Sequence, residues 1–461
     1  MTLSLRVPVE LYTQLRHHLE AAEPNETGTF ALLGTTSTDP ESSDLLLREL
    51  VWPEPDDWSR RGEDCLTPTT AYINRAAVRA DRLRVGVGFV HSHPSPFHPA
   101  ALSWVDVSST KLMFRNLAQI LGDAPLASLV FTPTTFSGVA QRRRSKRPTP
   151  VDAIRVVGGR IETIPSAESV PASSRLENDS VNERQLLALG DRGQARIEAV
   201  RVGVVGVGGT GSAVAEQLVR IGVKNLTLID DDTLSPSNVT RVYGTRFSDA
   251  KRIRKKVQVV AKHLRGIRPD VAVTAEKRSV IDPRLLDTLT KLDFVFCCTD
   301  TDGSRAVLND IAYRNYVPVL DLGCRIDPTG GRLAGIYGRV RYLRPGLPCL
   351  WCTGTIDGRR VLQEAMNPEE RARLAASGYG GMLGPQPSVI HLTTMVASLA
   401  IQEFLTLVAG VGPAHDGDWL SLDLVEPYLR RVTSKTDPHC RCLRMAGAGV
   451  DGALLVDNRA L

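Results

Sequence analysis

No uninterrupted apolar run in this 461-residue chain is long enough to span a bilayer. The most apolar stretch, residues 392–408, carries Gln402 and Glu403, so it reads as a buried helix and no membrane partner is expected. The opening MTLSLRVPVELYTQL lacks an apolar core followed by a cleavage site, so a cytoplasmic location is expected. Strong charge is missing as well. A net charge of +5 is small for this length and does not argue for nucleic acid. No internal repeat is visible. Cysteine is sparse, but its distribution is uneven: four of the eight fall in Cys349-x2-Cys352 and Cys440-x-Cys442. In a reducing compartment these are expected as thiols or metal ligands, not disulfides.

What is present predicts two to three domains. Periodicity predicts an amphipathic helix over 8–22, strands near 29–33 and 45–51, and a helix over 70–80. A strand over 83–90 should deliver His91 at its end; a helix over 107–121 and strands over 126–131 and 137–140 follow. The run Gln-Arg-Arg-Arg-Ser-Lys-Arg at 141–147 reads as a solvated linker, and residues 151–175 read as exposed. From about 176 helices alternate with Val/Ile/Leu-rich strands, as in a doubly wound α/β domain.

The first constellation is His91-Ser92-His93-Pro94 followed by Ser103-Trp104-Val105-Asp106. A zinc hydrolase needs three protein ligands and an open position for water. His-x-His at a strand end offers two imidazoles, and Asp106 offers a hard oxygen from the start of the next helix. Ser103 lies one turn earlier. Glu26, just before an apolar strand, is the candidate general base. This set resembles the JAMM (JAB/MPN) metalloproteases, which cut bonds after ubiquitin-like C-termini. The resemblance implies His91, His93 and Asp106 as ligands of a catalytic Zn2+, Glu26 as the base, and Ser103 as the group that steadies the oxyanion. The gap from His93 to Ser103 is two residues longer than the family's usual spacing.

The second constellation is Gly206-Val207-Gly208-Gly209-Thr210-Gly211, opening a helix after the strand 202–205. Such glycines let a phosphate approach the backbone at a helix N-terminus. Asp230, ending the strand 226–229, would bind a ribose. Asn238-x2-Arg241, Lys255-Lys256 and Asp300 follow, and cations with a second carboxylate suit ATP with Mg2+ better than a dinucleotide. This set resembles the E1-like adenylyltransferases, including the ThiF and MoeB branch. The resemblance implies phosphate binding by Gly206, Gly208, Gly209 and Gly211 and ribose binding by Asp230 with Asp232. It places Asn238, Arg241 and Lys256 around the triphosphate, with Lys255 a rival for the last role, and Asp300 on Mg2+ with Arg305 following. Arg184 matches the family's arginine that reaches a partner subunit's ATP, so a homodimer is expected. Cys349, Cys352, Cys440 and Cys442 read as a structural Zn2+ site, with His439 an alternative to one of the last pair. Residues 353–439 hold no cysteine for thioester chemistry, which leaves Cys324 as the only substitute.

The expected fold class is α/β: an N-terminal α+β JAB/MPN-type domain over 1–140, a linker over 141–175, a doubly wound Rossmann-like E1/ThiF domain over 176–445, and a tail over 446–461. The expected function is ATP-dependent adenylation of the C-terminus of a ubiquitin-like protein, combined with zinc-dependent cleavage of its precursors or conjugates. By analogy with bacterial operons this points to conjugation or antiphage defence, with an E2-like protein or other thiol acceptor as a partner. Activation of a sulfur-carrier protein for cofactor or cysteine synthesis, and an inactive binding scaffold, are the alternatives.

Overall fold

The computed structural model describes residues 3–37, 39, 43–94, 99–141, 148–169, 181–329, 332–367, 369–370, 373, 387–414 and 417–451. Two compact units emerge. The first comprises residues 1–174 with 314–316 and 444–452, and the second comprises 175–313, 317–443 and 453–461.

The first unit is built on a nine-stranded sheet. Its strands are β1 (Ser4–Pro8), β2 (Gly28–Thr35), β3 (Leu45–Val51), then, past the separate hairpin β4 (Trp58–Arg61) and β5 (Leu66–Pro68), β6 (Gly86–Ser92), β7 (Leu126–Phe131), β8 (Phe136–Gln141), β9 (Thr149–Pro150), β10 (Ala153–Val157) and β11 (Ile161–Pro165). Their order is β11-β10-β1-β3-β2-β6-β7-β8-β9. β2 is buried along its whole length because both faces are covered. Alternate side chains point to opposite faces of a strand. Ala31 and Leu33 therefore pack with Leu15 and Leu19 of helix Val9–Glu20. Phe30 and Leu32 pack with Tyr72, Ala76 and Ala80 of helix Thr70–Leu83 and with Leu117 of helix Trp104–Leu121.

Three expectations need correction. His91 lies inside β6 and not beyond its end. The segment expected as linker supplies three strands: β10 runs parallel to β1, pairing Ser4 with Ala153 through Pro8 with Val157. Leu3 N donates to Asp152 Oδ2 at 2.7 Å, which fixes that register. The Ala-Ile-Arg-Val-Val strand was masked by its basic and Pro-containing flanks, and its partner is remote in sequence. Residues 444–452 belong with the first unit, so neither the boundary at 445 nor a free tail from 446 holds. Gly449 has φ 61°, and a Cβ there would lie 1.9 Å from Thr35 O.

The second unit has an eight-stranded sheet: β12 (Arg201–Val205), β13 (Asn225–Ile229), β14 (Ala272–Glu276), β15 (Phe294–Cys297), β16 (Val319–Thr329), β17 (Arg332–Leu343), β18 (Trp419–Asp423) and β19 (Tyr428–Val432). The order is β14-β13-β12-β15-β16-β17-β18-β19. β14 through β16 are mutually parallel, and β17 to β19 continue antiparallel. Sequence order runs outward from β12 in one direction and resumes at β15 in the other. The crevice between them is the topological switch point where open α/β sheets bind ligands.

Helix Ile390–Val408 is long and apolar enough to cross a membrane. Here Val396, Ala400, Phe404 and Leu407 are buried in the unit's own core. The Phe404 ring lies 5.1 Å from Phe294 and 5.6 Å from Phe296 on β15. Glu403 is buried against Arg431 at 2.9 Å. Phe404→Ala should therefore destabilise this unit by about 3–5 kcal/mol. Urea unfolding followed by circular dichroism checks this, and an unmoved midpoint would refute the core role.

Candidate active sites

At the switch point, β12 ends and helix Gly209–Arg220 begins within a few residues. Gly206 takes φ 85°, which glycine adopts without strain, and a Cβ on Gly211 would lie 1.8 Å from Gly206 O. This close turn sets the start of the helix against a cleft of ≈ 670 Å³ lined by Gly206, Gly208 and Gly209, and a helix N-terminus favours an anion there.

Gly206, Gly208, Gly209, Asp230, Asp232, Asn238, Arg241, Lys256, Asp300 and Arg305 all line this cleft. Asp230 accepts Val207 N at 2.6 Å and Asp232 N at 2.9 Å, so its carboxylate is fixed beside the glycine loop. Burial pushes the Asp230 carboxyl up, against the pull of Lys256. Lys256 is buried and its Nζ meets Asp232 Oδ2 at 2.6 Å. Lys255 donates instead to Asp231 O at 2.5 Å, and of the two lysines Lys256 is the one that lines the cleft. Arg241 packs its stem against Gly209, where a Cβ would lie 3.3 Å away. Asp300 is exposed at the cleft edge. Magnesium binds through one or two carboxylates plus phosphate oxygens, and Asp300 suits that role. Gly211 and Arg184 do not line the cleft: Gly211 is buried under the turn, and Arg184 is exposed on the first turn of helix Glu183–Ala199, which kinks at Gly190.

Arg305 and Arg339 hold the fully buried Asp321 at 3.0 and 2.8 Å. Burial opposes that charge, but the two guanidiniums keep the carboxyl below its usual range. Thr210 of the glycine loop lines the cleft, and sequence reading missed Arg278, Ser304, Glu364 and Thr393, which also line it. Glu364 carried no local signal, because it arrives from a helix beyond the first cysteine pair. Cys324 lines the cleft too, with its Sγ 3.8 Å from Thr210 Oγ1. Burial pushes its thiol up, which disfavours the nucleophilic thiolate. Burial likewise pushes Cys297 up to about 12.

In the first unit, His91, His93 and Asp106 bring one ligand atom each within 4.8 Å of one another. His91 Nε2 lies 3.2 Å from Asp106 Oδ1, and His93 Nε2 lies 3.5 Å from Asp106 Oδ2 and 3.6 Å from Glu26 Oε1. His91 is buried, yet neither ring nitrogen makes a well-formed hydrogen bond among the described residues. Buried polar atoms are rarely left so, and a metal ion held by His91, His93 and Asp106 would give them a partner. Burial pushes the Glu26 carboxyl up to about 7, against the pull of His93. That places it in the range of a general base. Ser103 Oγ accepts Asp106 N at 3.1 Å and Asp106 Oδ2 accepts Ser103 N at 2.7 Å. Ser103 is thus the N-cap of helix Trp104–Leu121, with its hydroxyl proton left to donate. Residues 95–98, in the longer spacer, lie outside the described residues.

In the second unit Cys349, Cys352, Cys440 and Cys442 also converge. Cys349 Sγ is 3.5 Å from Cys352 and from Cys440, and Cys352 is 3.9 Å from Cys442. Thiolates about 2.3 Å from a tetrahedral zinc stand about 3.8 Å apart, so the set fits a closed site. His439 is exposed and outside the cluster, which corrects its candidacy.

A glycine loop, a fixed carboxylate and a set of cations gathered in one cleft at a switch point make the arrangement of a nucleotide-binding α/β enzyme domain. The chain belongs to the ThiF family, whose model matches residues 182–443. That part is an E1-like adenylyltransferase domain of the ThiF/MoeB type. The molybdopterin-synthase adenylyltransferase of Escherichia coli is 29% identical over 248 residues, 54% of this chain and 88% of that protein. The SAMP-activating enzyme E1 of Haloferax volcanii is 27% identical over 252 residues, 55% of this chain and 83% of that protein. A solved structure of E. coli MccB with succinimide has a TM-score of 0.46 at 15% identity, covering 59% of this chain and 75% of that one.

Metal analysis should find about two zinc ions per chain, one per ligand set. A chelator should remove the ion of the His91 set first, whereas stripping the cysteine set should unfold the segment around it. Zinc-free protein prepared without chelator would contradict both assignments.

Proposed function

We propose that the second unit adenylates the C-terminal carboxylate of a ubiquitin-like protein, and that the first unit cleaves bonds made by such C-termini. The observation that carries the first half is the gathering of Asp230, Asn238, Arg241, Lys256 and Asp300 around the glycine loop in one cleft. A carboxylate oxygen of the substrate forms a bond to the α-phosphorus of ATP, and the bond to the β-phosphate oxygen breaks. Pyrophosphate leaves with that electron pair, and an acyl-adenylate remains. The glycine-loop N–H groups, Asn238, Arg241 and Lys256 hold the phosphates, Asp230 and Asp232 hold the ribose, and Asp300 would hold magnesium, which would neutralise charge on the phosphates. Arg184, exposed on its helix, reaches the nucleotide of a second copy in a homodimer.

No cysteine near this cleft is suited to take the acyl group, since burial pushes Cys297, Cys298 and Cys324 up. The acceptor is a thiol or sulfur donor on another protein, which favours an E2-like partner or a sulfur-carrier pathway. In the first unit, His91, His93 and Asp106 would hold zinc, which would supply a Lewis acid. Glu26 takes the proton of the attacking water, and Ser103 donates to the developing oxyanion.

The two activities should separate. Asp300→Ala should abolish pyrophosphate exchange dependent on a ubiquitin-like protein and leave cleavage of its fusions intact. Glu26→Gln should slow cleavage by about 10²–10⁴-fold and leave exchange untouched. Loss of both activities from either substitution in folded protein would defeat the two-site reading.

A further inference from the structure

Helix Gly358–Ala365 brings Glu364 to the edge of the nucleotide cleft. Its Oε1 accepts Asp302 N at 3.1 Å and its Oε2 accepts Gly303 N at 2.6 Å. These N–H groups open helix Asp302–Arg314 and have no partner within it. The link is reciprocal. Asp302 Oδ2 accepts Asp357 N at 3.0 Å, and Asp357 caps the helix of Glu364 by accepting Arg359 N at 2.9 Å. Each helix start is therefore held by the other. The turn so held carries Ser304 and Arg305 and is joined directly to Asp300 and Thr301, all of which line the cleft.

We propose that Glu364 is a positioning residue for the magnesium nucleotide, acting through the start of helix Asp302–Arg314 to fix Asp300. This rests on the adenylation reading. Both carboxylate oxygens of Glu364 are engaged with backbone N–H groups, so it works through the peptide and not by touching the phosphates. Only a carboxylate of this reach accepts both bonds at once. A Gln presents one acceptor, and an Asp is a methylene shorter.

Calorimetry with ATP and increasing Mg2+, on the full chain, tests this. Glu364→Ala and Glu364→Gln should raise the Mg2+ concentration needed for tight ATP binding by about 10–100-fold. ATP affinity in EDTA should stay as in the wild type, the thermal midpoint should drop only by the few degrees that a lost helix cap costs, and Glu364→Asp should fall between. Equal weakening with and without Mg2+, or no change in either, would overturn the proposal. If Glu364→Ala does not fold, Glu364→Gln and Glu364→Asp carry the same comparison. Wild-type protein showing no Mg2+-dependent ATP binding would instead sink the adenylation reading itself.

Discussion

The closeness of Gly206 and Gly211 is the constraint on which the second unit depends. With Gly211 buried 1.8 Å from Gly206 O at the position a Cβ would take, no other residue fits there without moving the turn. That contact sets helix Gly209–Arg220 directly on the end of β12. Gly208 and Gly209 then line the crevice that the strand order opens between β12 and β15. Strand β13 delivers Asp230 to the same crevice from one side, and β15 delivers Asp300 from the other.

The second unit keeps charge where water is scarce, and it does so by pairing. In the second unit, Asp321 is balanced by Arg305 and Arg339, and Lys256 by Asp232. Breaking one member of a buried pair leaves an uncompensated charge, which costs more than the pair contributes. In the first unit, the His91 ring is left without well-formed hydrogen bonds, and Glu26 is held near neutrality by burial. The two sites thus use burial for different ends, one to fix charge and the other to keep a carboxyl able to exchange a proton.

Short-range patterns were legible because each signal lies within one element or turn. His91-x-His93, the capping pair Ser103 and Asp106, the glycine loop and the paired cysteines were visible as spacing. The strand β10 was not, since its parallel partner β1 lies at the far end of the unit's sequence. Neither was Glu364, whose bonds run to a helix that lies two strands earlier in the chain. His439 and Lys255 illustrate a further limit: neighbours in sequence point in different directions, and only the backbone path selects Cys440 and Lys256.

By itself the sequence determined the chemical inventory and the order of its parts: the ligand types, the phosphate loop, the alternation of helix and strand, and the placement of eight cysteines. These follow from local spacing and residue chemistry. The tertiary structure alone decided which of those groups meet. It put Glu26 within 3.6 Å of His93, gathered thiols from two distant segments, and assigned residues 444–452 to the first unit. Such pairings depend on chain crossings that local periodicity does not encode, because a strand's partner is chosen by which sheet edge and apolar face it completes.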